Sequence, residues 1–188
     1  MQEPNKTLRS LPIDHSWTLF LDRDGVINVH AEGYVNNIKN FIFIDGVLEA
    51  IKKLSKIFGR IIVVTNQQGI GKKLMTIEEL NSVHEYMLNI IKKNGGRIDK
   101  IYFAPQLESE NSHYRKPNTG MALHAKQDFP EIDFKKSIVV GDSISDMQLG
   151  KNIGAYTVYV GKPLVEYDPL LIDYRFSSLY EFSNQLPL

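Results

Sequence analysis

Trp17-Thr18-Leu19-Phe20-Leu21-Asp22-Arg23-Asp24-Gly25-Val26-Ile27-Asn28 begins as an apolar run and breaks off into two carboxylates and a glycine. A run this short and this apolar reads as a strand buried on both faces. It delivers acids to a site: Asp22 and Asp24 stand two residues apart, so a backbone that stays extended turns both to the same side. Like charges so placed repel, unless a cation lies between them or one holds a proton. Gly25 lets the chain leave the strand sharply. Asp and Gly are also ordinary turn residues, so the stretch alone does not require a site. A calcium loop is excluded by spacing, because, counted from Asp22, Ile27 stands where that loop needs glycine and Gly33 where it needs glutamate.

Outward from this stretch the same punctuation recurs. Residues 29–40 form a polar loop, with Gly33 and Tyr34 in its middle, long enough to lean over a site. Asp45-Gly46 opens a helix with Val47, Leu48, Ile51, Leu54 and Ile57 at three- and four-residue spacing, stopped by Gly59. Residues 60–66 are a second buried strand running into Thr65 and Asn66. After a turn over 67–74, Thr76 and Glu79 make a capping-box pattern for a long helix. Its stripe is Ile77, Leu80, Val83, Met87, Ile90 and Ile91, and His84 beside it reads as core packing. Residues 98–104 are a third strand, 105–118 a polar loop containing Arg115-Lys116-Pro117, and 119–129 a helix. Residues 137–142 form a fourth strand ending in Asp142, 145–152 a short helix, 155–160 a fifth strand, and 174–186 a short strand and a helix.

Strands alternating with helices predict parallel βαβ units with right-handed crossovers, hence an α/β doubly wound parallel sheet. Ligands of such sheets bind beyond the carboxyl ends of the strands. That edge gathers Asp22, Asp24, Thr65, Asn66 and Asp142.

At 188 residues with 43% hydrophobic, the chain is a single domain of ordinary size, expected over 17–188 after a polar tail over 1–16. Lys plus Arg and Asp plus Glu are equal at 22 each, so no global field draws nucleic acid or an acidic membrane. Without cysteine there is no disulfide and no thiolate metal site, which fits a cytoplasmic protein. Glu3, Pro4, Asn5, Lys6 and Asp14 do not read as a signal peptide, and no run reads as a membrane span.

The residues on the strand edge suit phosphoryl transfer. Asp22 is the candidate nucleophile, forming an aspartyl-phosphate. Mg²⁺ fits a site offering Asp22, a backbone carbonyl near Asp24, and Asp142. Asp24 is the candidate general acid and base, which requires it to start protonated; crowding beside Asp22 is expected to favour that. The Thr65 hydroxyl, the next backbone N–H and the Lys116 ammonium can stabilise the phosphoryl oxygens, and Arg115 offers a planar fork to a second anion. Asp146 is placed to orient Lys116 or a water held by the metal. The plainer alternatives are a solvated loop pair for Arg115-Lys116 and a helix N-terminal acid for Asp146. Gly69-Ile70-Gly71-Lys72 is not a P-loop, because the first glycine would fall at Asn66 and Lys73 stands where Ser or Thr holds Mg²⁺.

With these residues in hand, the chain from Thr18 to about Leu186 resembles the haloacid dehalogenase-like phosphatases. Asp22-Arg23-Asp24-Gly25-Val26-Ile27-Asn28, Val64-Thr65-Asn66-Gln67, Arg115-Lys116-Pro117 and Gly141-Asp142-Ser143-Ile144-Ser145-Asp146 resemble that family's four motifs, in order. The pattern is similar to the small, capless branch that contains the heptose bisphosphate and histidinol-phosphate phosphatases. Gly33-Tyr34-Val35, Phe43-Ile44-Asp45-Gly46-Val47 and Arg115 to Met121 look like the heptose branch. The resemblance implies a Rossmann-like fold with Asp22 as nucleophile, Asp24 as acid and base, and Thr65 and Lys116 as phosphoryl stabilisers. It further implies Arg115 as substrate recogniser, with Asn66, Gly33 and Tyr34 around the substrate, and Mg²⁺ on Asp22, the Asp24 carbonyl and Asp142.

One departure stands out. Enzymes of this branch commonly carry a zinc loop of three cysteines and a histidine before the Arg-Lys-Pro motif, and here those places fall on Ala104, Gln106, Ser112 and Tyr114. His113 alone cannot replace four ligands. The reading is therefore no zinc and a loop held by its own packing. The expected activity is Mg²⁺-dependent hydrolysis of a small phosphorylated sugar, with heptose bisphosphate first, histidinol phosphate second and a DNA 3′-phosphate third. An idle binding module of the same fold is the alternative from another class. No nucleic-acid or membrane partner is expected, and the oligomeric state is not legible in the sequence.

Overall fold

The computed structural model describes residues 8–187. Strands β1 (Thr18–Leu21), β2 (Arg60–Asn66), β3 (Lys100–Ala104), β4 (Ser137–Gly141), β5 (Tyr156–Val160) and β6 (Tyr174–Phe176) form one sheet in the order β3-β2-β1-β4-β5-β6. Every neighbouring pair is parallel. Helices α1 (Val47–Ile57), α2 (Ile77–Lys93), α3 (Gly120–Asp128), α4 (Ile144–Ile153) and α5 (Leu179–Gln185) supply the crossovers and the final cover.

The period of two along the strands divides the core into two layers. Leu19, Leu21, Ile61 and Val63 pack on one face with Val47 and Leu54 of α1, Val83 and Met87 of α2, and Phe182 of α5. Phe20, Ile62, Val64 and Val139 pack on the other face with Met121 and Ala125 of α3 and Leu149 of α4. Central strands covered on both faces must be apolar throughout, which is why β1 and β2 read as continuous hydrophobic runs. Each such fully buried side chain contributes about 1.5–3 kcal/mol.

Helix α2 starts at the expected cap: Thr76 Oγ1 accepts from the Glu79 N–H at 3.1 Å, and Glu79 Oε2 accepts from the Thr76 N–H at 2.8 Å. Helix α4 begins at Ile144 behind a second capping box, Ser143 with Asp146. Residues 8–16, assigned above to a polar tail, include a short 3₁₀ turn, Leu8–Ser10. There Leu8 is buried in the core and Leu11 and Ile13 pack against it. Residues 1–7 of that expected tail lie outside the described residues.

From β1 the strand order runs outward through β2 and β3, and from β4 it runs the other way through β5 and β6. Helices leaving β1 and β4 therefore depart to opposite sides, and a crevice opens between these strands at their carboxyl ends. Leu21 pairs with Val140 at this point, so Asp22 and Asp142 emerge side by side. Segments 22–46 and 105–119, which leave this edge, carry only isolated bridges and the 3₁₀ turns Ile38–Asn40 and Glu108–Glu110, so among the described residues no cap domain covers the crevice. Among the described residues no helix is long and apolar enough to cross a membrane.

Candidate active site

Asp22 follows β1 and stays tied to the sheet, its N–H donating to the Val140 carbonyl at 2.9 Å. Its Oδ1 accepts from the Arg23 N–H at 2.7 Å and lies 2.9 Å from Lys116 Nζ. Lys116 Nζ also donates to Asp146 Oδ1 at 2.6 Å and to the Val64 carbonyl at 2.9 Å. One buried ammonium thus serves two buried carboxylates. Burial alone would lower the Lys116 ammonium, but Asp146 and Asp22 outweigh it and hold it up at about 12. Burial, with Asp146 on the far side of the ammonium, pushes Asp22 up to about 7 despite Lys116. Lys116 rises because two anions face it, and Asp22 rises because burial and the Asp146 charge outweigh its share of one cation.

Asp24 corrects the expectation that it starts protonated. Its Oδ1 accepts from Arg23 Nη2 and from Asn28 Nδ2, each at 2.9 Å. Its Oδ2 accepts from Arg23 Nη2 at 3.0 Å and Gln67 Nε2 at 2.9 Å. Burial works against the charge, but the Arg23 guanidinium and these donors outweigh it and hold the Asp24 carboxyl below the usual range. Bound by Arg23, Asn28 and Gln67, Asp24 stays charged, and its charge adds to those that raise Asp22.

Asp142 follows β4. Burial first, then the Asp146 carboxylate, raise its carboxyl. Ligand oxygens of Asp22, Asp142 and Asp146 lie within 4.8 Å of one another. Three carboxylates around one ammonium form an oxygen-only donor set with excess negative charge, which fits a hard divalent cation such as Mg²⁺. Asp146 already meets Lys116 through Oδ1, and through Oδ2 it accepts from the Ser143 N–H at 3.1 Å. The Asp24 side chain takes no part in this cluster, and its expected place at the metal rests on its backbone carbonyl. Gly25 has φ +79°, and a Cβ there would lie 1.9 Å from Asp142 Oδ2. Only glycine lets the turn pass this close to Asp142.

The remaining expected residues reach the same cleft of about 240 Å³. Thr65 ends β2 with its Oγ1 accepting from Gln67 Nε2 at 2.9 Å, which leaves its hydroxyl hydrogen free to donate. Asn66 lines the cleft, but its amide pins the Lys116 backbone, donating to Lys116 O at 3.1 Å and accepting from Lys116 N at 3.0 Å. Arg115 lines the cleft with one N–H on Gln106 O at 3.4 Å. Gly33 and Tyr34 also line it, and the Tyr34 ring sits 2.8 Å from where a Cβ of Gly69 would stand. Three cleft residues escaped sequence reasoning: His30, whose Nε2 is 2.6 Å from Asp142 Oδ2, Gln67 and Arg23. Arg23 and Gln67 lie inside the motifs, but the signal that would single them out is a partner remote in the chain.

Loop 105–118 is tied down by hydrogen bonds within itself and to α3. Ser112 O accepts from the Arg115 N–H at 3.1 Å and from Asn118 Nδ2 at 3.0 Å. The Tyr114 hydroxyl meets His124 Nδ1 at 2.8 Å, and His113 O accepts from the Gly120 N–H at 3.0 Å.

Comparison with known proteins identifies the family. The family model described as polynucleotide kinase 3 phosphatase matches residues 19–159. The D-glycero-alpha-D-manno-heptose-1,7-bisphosphate 7-phosphatase of Mycobacterium bovis is 37% identical over 175 residues, covering 90% of each chain. The D-glycero-beta-D-manno-heptose-1,7-bisphosphate 7-phosphatase of Yersinia pestis is 40% identical, covering 89% of this chain and 94% of its own. A crystal structure of D,D-heptose 1,7-bisphosphate phosphatase from B. bronchiseptica, complexed with magnesium and phosphate, superposes with a TM-score of 0.78. It is 25% identical and covers 90% of this chain and 97% of its own. On the matched sequence, the parallel sheet and the acids at its reversal point, the chain belongs to the haloacid dehalogenase-like phosphatases and is a phosphoric monoester hydrolase.

Proposed function

We propose that this phosphatase is Mg²⁺-dependent and removes the 7-phosphate of D-glycero-D-manno-heptose 1,7-bisphosphate through an aspartyl-phosphate on Asp22. The observation that carries the reading is the buried Asp22, Lys116 and Asp146 chain, set beside Asp142 where the strand order reverses. Relatives named for both anomers of this substrate support it, as does the magnesium and phosphate in the B. bronchiseptica structure.

Asp22 Oδ1 is held by Lys116 and the Arg23 N–H, so Oδ2 is the oxygen free to attack phosphorus. The new O–P bond forms as the bond to the sugar oxygen breaks, and Asp24 passes a proton to that oxygen. Because Asp24 rests ionised, the proton arrives with the substrate, whose phosphate has a second pKa of about 6. A carboxyl whose charged form is this well held surrenders a proton readily. Asp24 then takes a proton from the water that attacks the phosphoryl group, releasing inorganic phosphate and Asp22. The Thr65 hydroxyl, the Asn66 N–H and Lys116 hold the phosphoryl oxygens throughout. Mg²⁺ on Asp22, the Asp24 carbonyl and Asp142 would offset the charge of phosphate and acids when bound. Arg115, with N–H groups to spare, takes the second phosphate, and Gly33 and Tyr34 wall the sugar.

The test is phosphate release with Mg²⁺ from both heptose 1,7-bisphosphate anomers, histidinol phosphate and a 3′-phosphorylated oligonucleotide. Selective turnover of a heptose bisphosphate is expected. Turnover of the oligonucleotide or of histidinol phosphate with inert heptoses would overturn the substrate assignment.

A further inference from the structure

Behind Asp24 lies a polar cluster that the proposed chemistry does not use. Arg23 is 1% exposed and His84, from the middle of α2, is 6% exposed. Arg23 Nη1 lies 3.1 Å from His84 Nε2, while Nη2 of the same fork spans both oxygens of Asp24. A guanidinium only donates, so Nε2 must be the accepting nitrogen and His84 is neutral with its proton on Nδ1. The Phe41 ring lies 6.0 Å from the guanidinium carbon, and Phe103 stands 6.1 Å from the imidazole. Arg23 Nε has no hydrogen-bond partner among the described residues.

This is an expensive way to fill a core. Buried ion pairs are commonly replaced by apolar groups without loss of stability, so packing alone does not account for the cluster. What it does supply is direction. Asp24 is one-quarter exposed, open to the cleft on one side and bound by Arg23 on the other. Its carboxylate cannot rotate without losing contacts to Arg23, Asn28 or Gln67. A reacting group so held keeps its angle to the leaving atom, and small losses of such alignment are costly to rate.

We propose that Arg23 and His84 are positioning residues that aim the Asp24 carboxyl at the leaving oxygen, with α2 as the rigid support. The inference rests on the phosphatase reading and adds to it a role for a helix that contributes nothing to the phosphoryl pocket.

Two variants of His84 separate aiming from packing. His84→Phe keeps the ring volume and removes the acceptor, whereas His84→Gln restores an acceptor through Oε1. Both are assayed on heptose bisphosphate, whose sugar oxygen needs a proton to leave, and on 4-nitrophenyl phosphate, whose phenolate leaves without one. The readout is kcat/KM, which ends at loss of the leaving group. For His84→Phe we expect a loss of about 10–100-fold on the sugar phosphate, part of the range for general acid catalysis, and less than about threefold on the nitrophenyl ester. His84→Gln should stay within about threefold of the parent on both. Binding of beryllium fluoride with Mg²⁺, followed by ¹⁹F NMR, reports the phosphoryl pocket and should survive in both variants. Equal losses on the two esters, an unimpaired His84→Phe, or a His84→Gln as poor as His84→Phe would overturn the proposal. If His84→Phe does not fold, Arg23→Lys, which keeps the charge on Asp24 but not the fork, must show the same ester-dependent loss. A parent enzyme inactive on both esters would instead refute the phosphatase reading.

Discussion

Replacing Asp22 by Asn should abolish turnover and yet stabilise the metal-free protein. The Asn carbonyl can take over both contacts of Asp22 Oδ1, with Lys116 at 2.9 Å and the Arg23 N–H at 2.7 Å, so the change removes charge and little else. In the parent the carboxyl rises from 3.8 to about 7, chiefly through burial and the Asp146 charge. Each pH unit of that rise corresponds to about 1.4 kcal/mol. Because the folded value lies above the unfolded one, the contribution of Asp22 is full below its unfolded pKa and is lost as pH rises through about 7. The ionised side chain therefore costs the metal-free fold about 4 kcal/mol at pH 8 and almost nothing near pH 4. Urea unfolding in EDTA should show Asp22→Asn to be more stable by that amount at pH 8, with the gap closing near pH 4. The corresponding shift in Tm is about 8–16 °C. Millimolar Mg²⁺ should narrow the gap by stabilising the parent. A gap of the same size at both pH values, or an Asn variant less stable at pH 8, would refute the account of this site.

The other predictions follow the same reasoning. Lys116→Met leaves Asp22 and Asp146 buried without their cation, so a destabilisation of about 3–5 kcal/mol is expected at neutral pH, shrinking in acid, in urea unfolding. Gly25→Ala places a Cβ 1.9 Å from Asp142 Oδ2 and 2.6 Å from His30 Nε2 at a positive φ. Asp142 must retreat, and calorimetry should show Mg²⁺ affinity falling by about tenfold or more. His84 acts opposite in sign to Asp22: burial, then the Arg23 charge, lower its pKa to about 3, so the stability it contributes is present above its unfolded pKa and lost as pH falls toward 3. His84→Gln should remove a slope of up to about 1.4 kcal/mol per pH unit between about pH 6 and pH 4, read as urea midpoints.

What was legible in the sequence was whatever one segment determines by itself. The runs through Leu19 to Leu21 and Ile61 to Val64 had to be buried strands, and polar residues at their ends had to share one edge once the strands were parallel. The Thr76 and Glu79 cap is likewise a local matter of three residues. Contacts between remote segments were not legible. Arg23 and His84 are 61 positions apart, and although Arg23 is next to Asp24 in the sequence, an extended backbone turns the two to opposite sides, so the return of its guanidinium onto Asp24 is not legible locally. Asn66 shows the same limit: its place at a strand end points to the cleft it lines, but the clasp of its amide on the backbone of Lys116, 50 positions away, is not legible there. Leu8 and Ile13 looked like part of a polar tail because burial of a few scattered apolar residues leaves no period to detect.

Covalent trapping would show whether Asp22 carries the phosphoryl group. The enzyme would be mixed with heptose bisphosphate and Mg²⁺, quenched in acid within one turnover, and its peptides weighed. One added phosphoryl group is expected on the peptide carrying Asp22, absent from Asp22→Asn. Turnover without that adduct, an adduct on another residue, or turnover that survives Asp22→Asn would contradict Asp22 as the nucleophile.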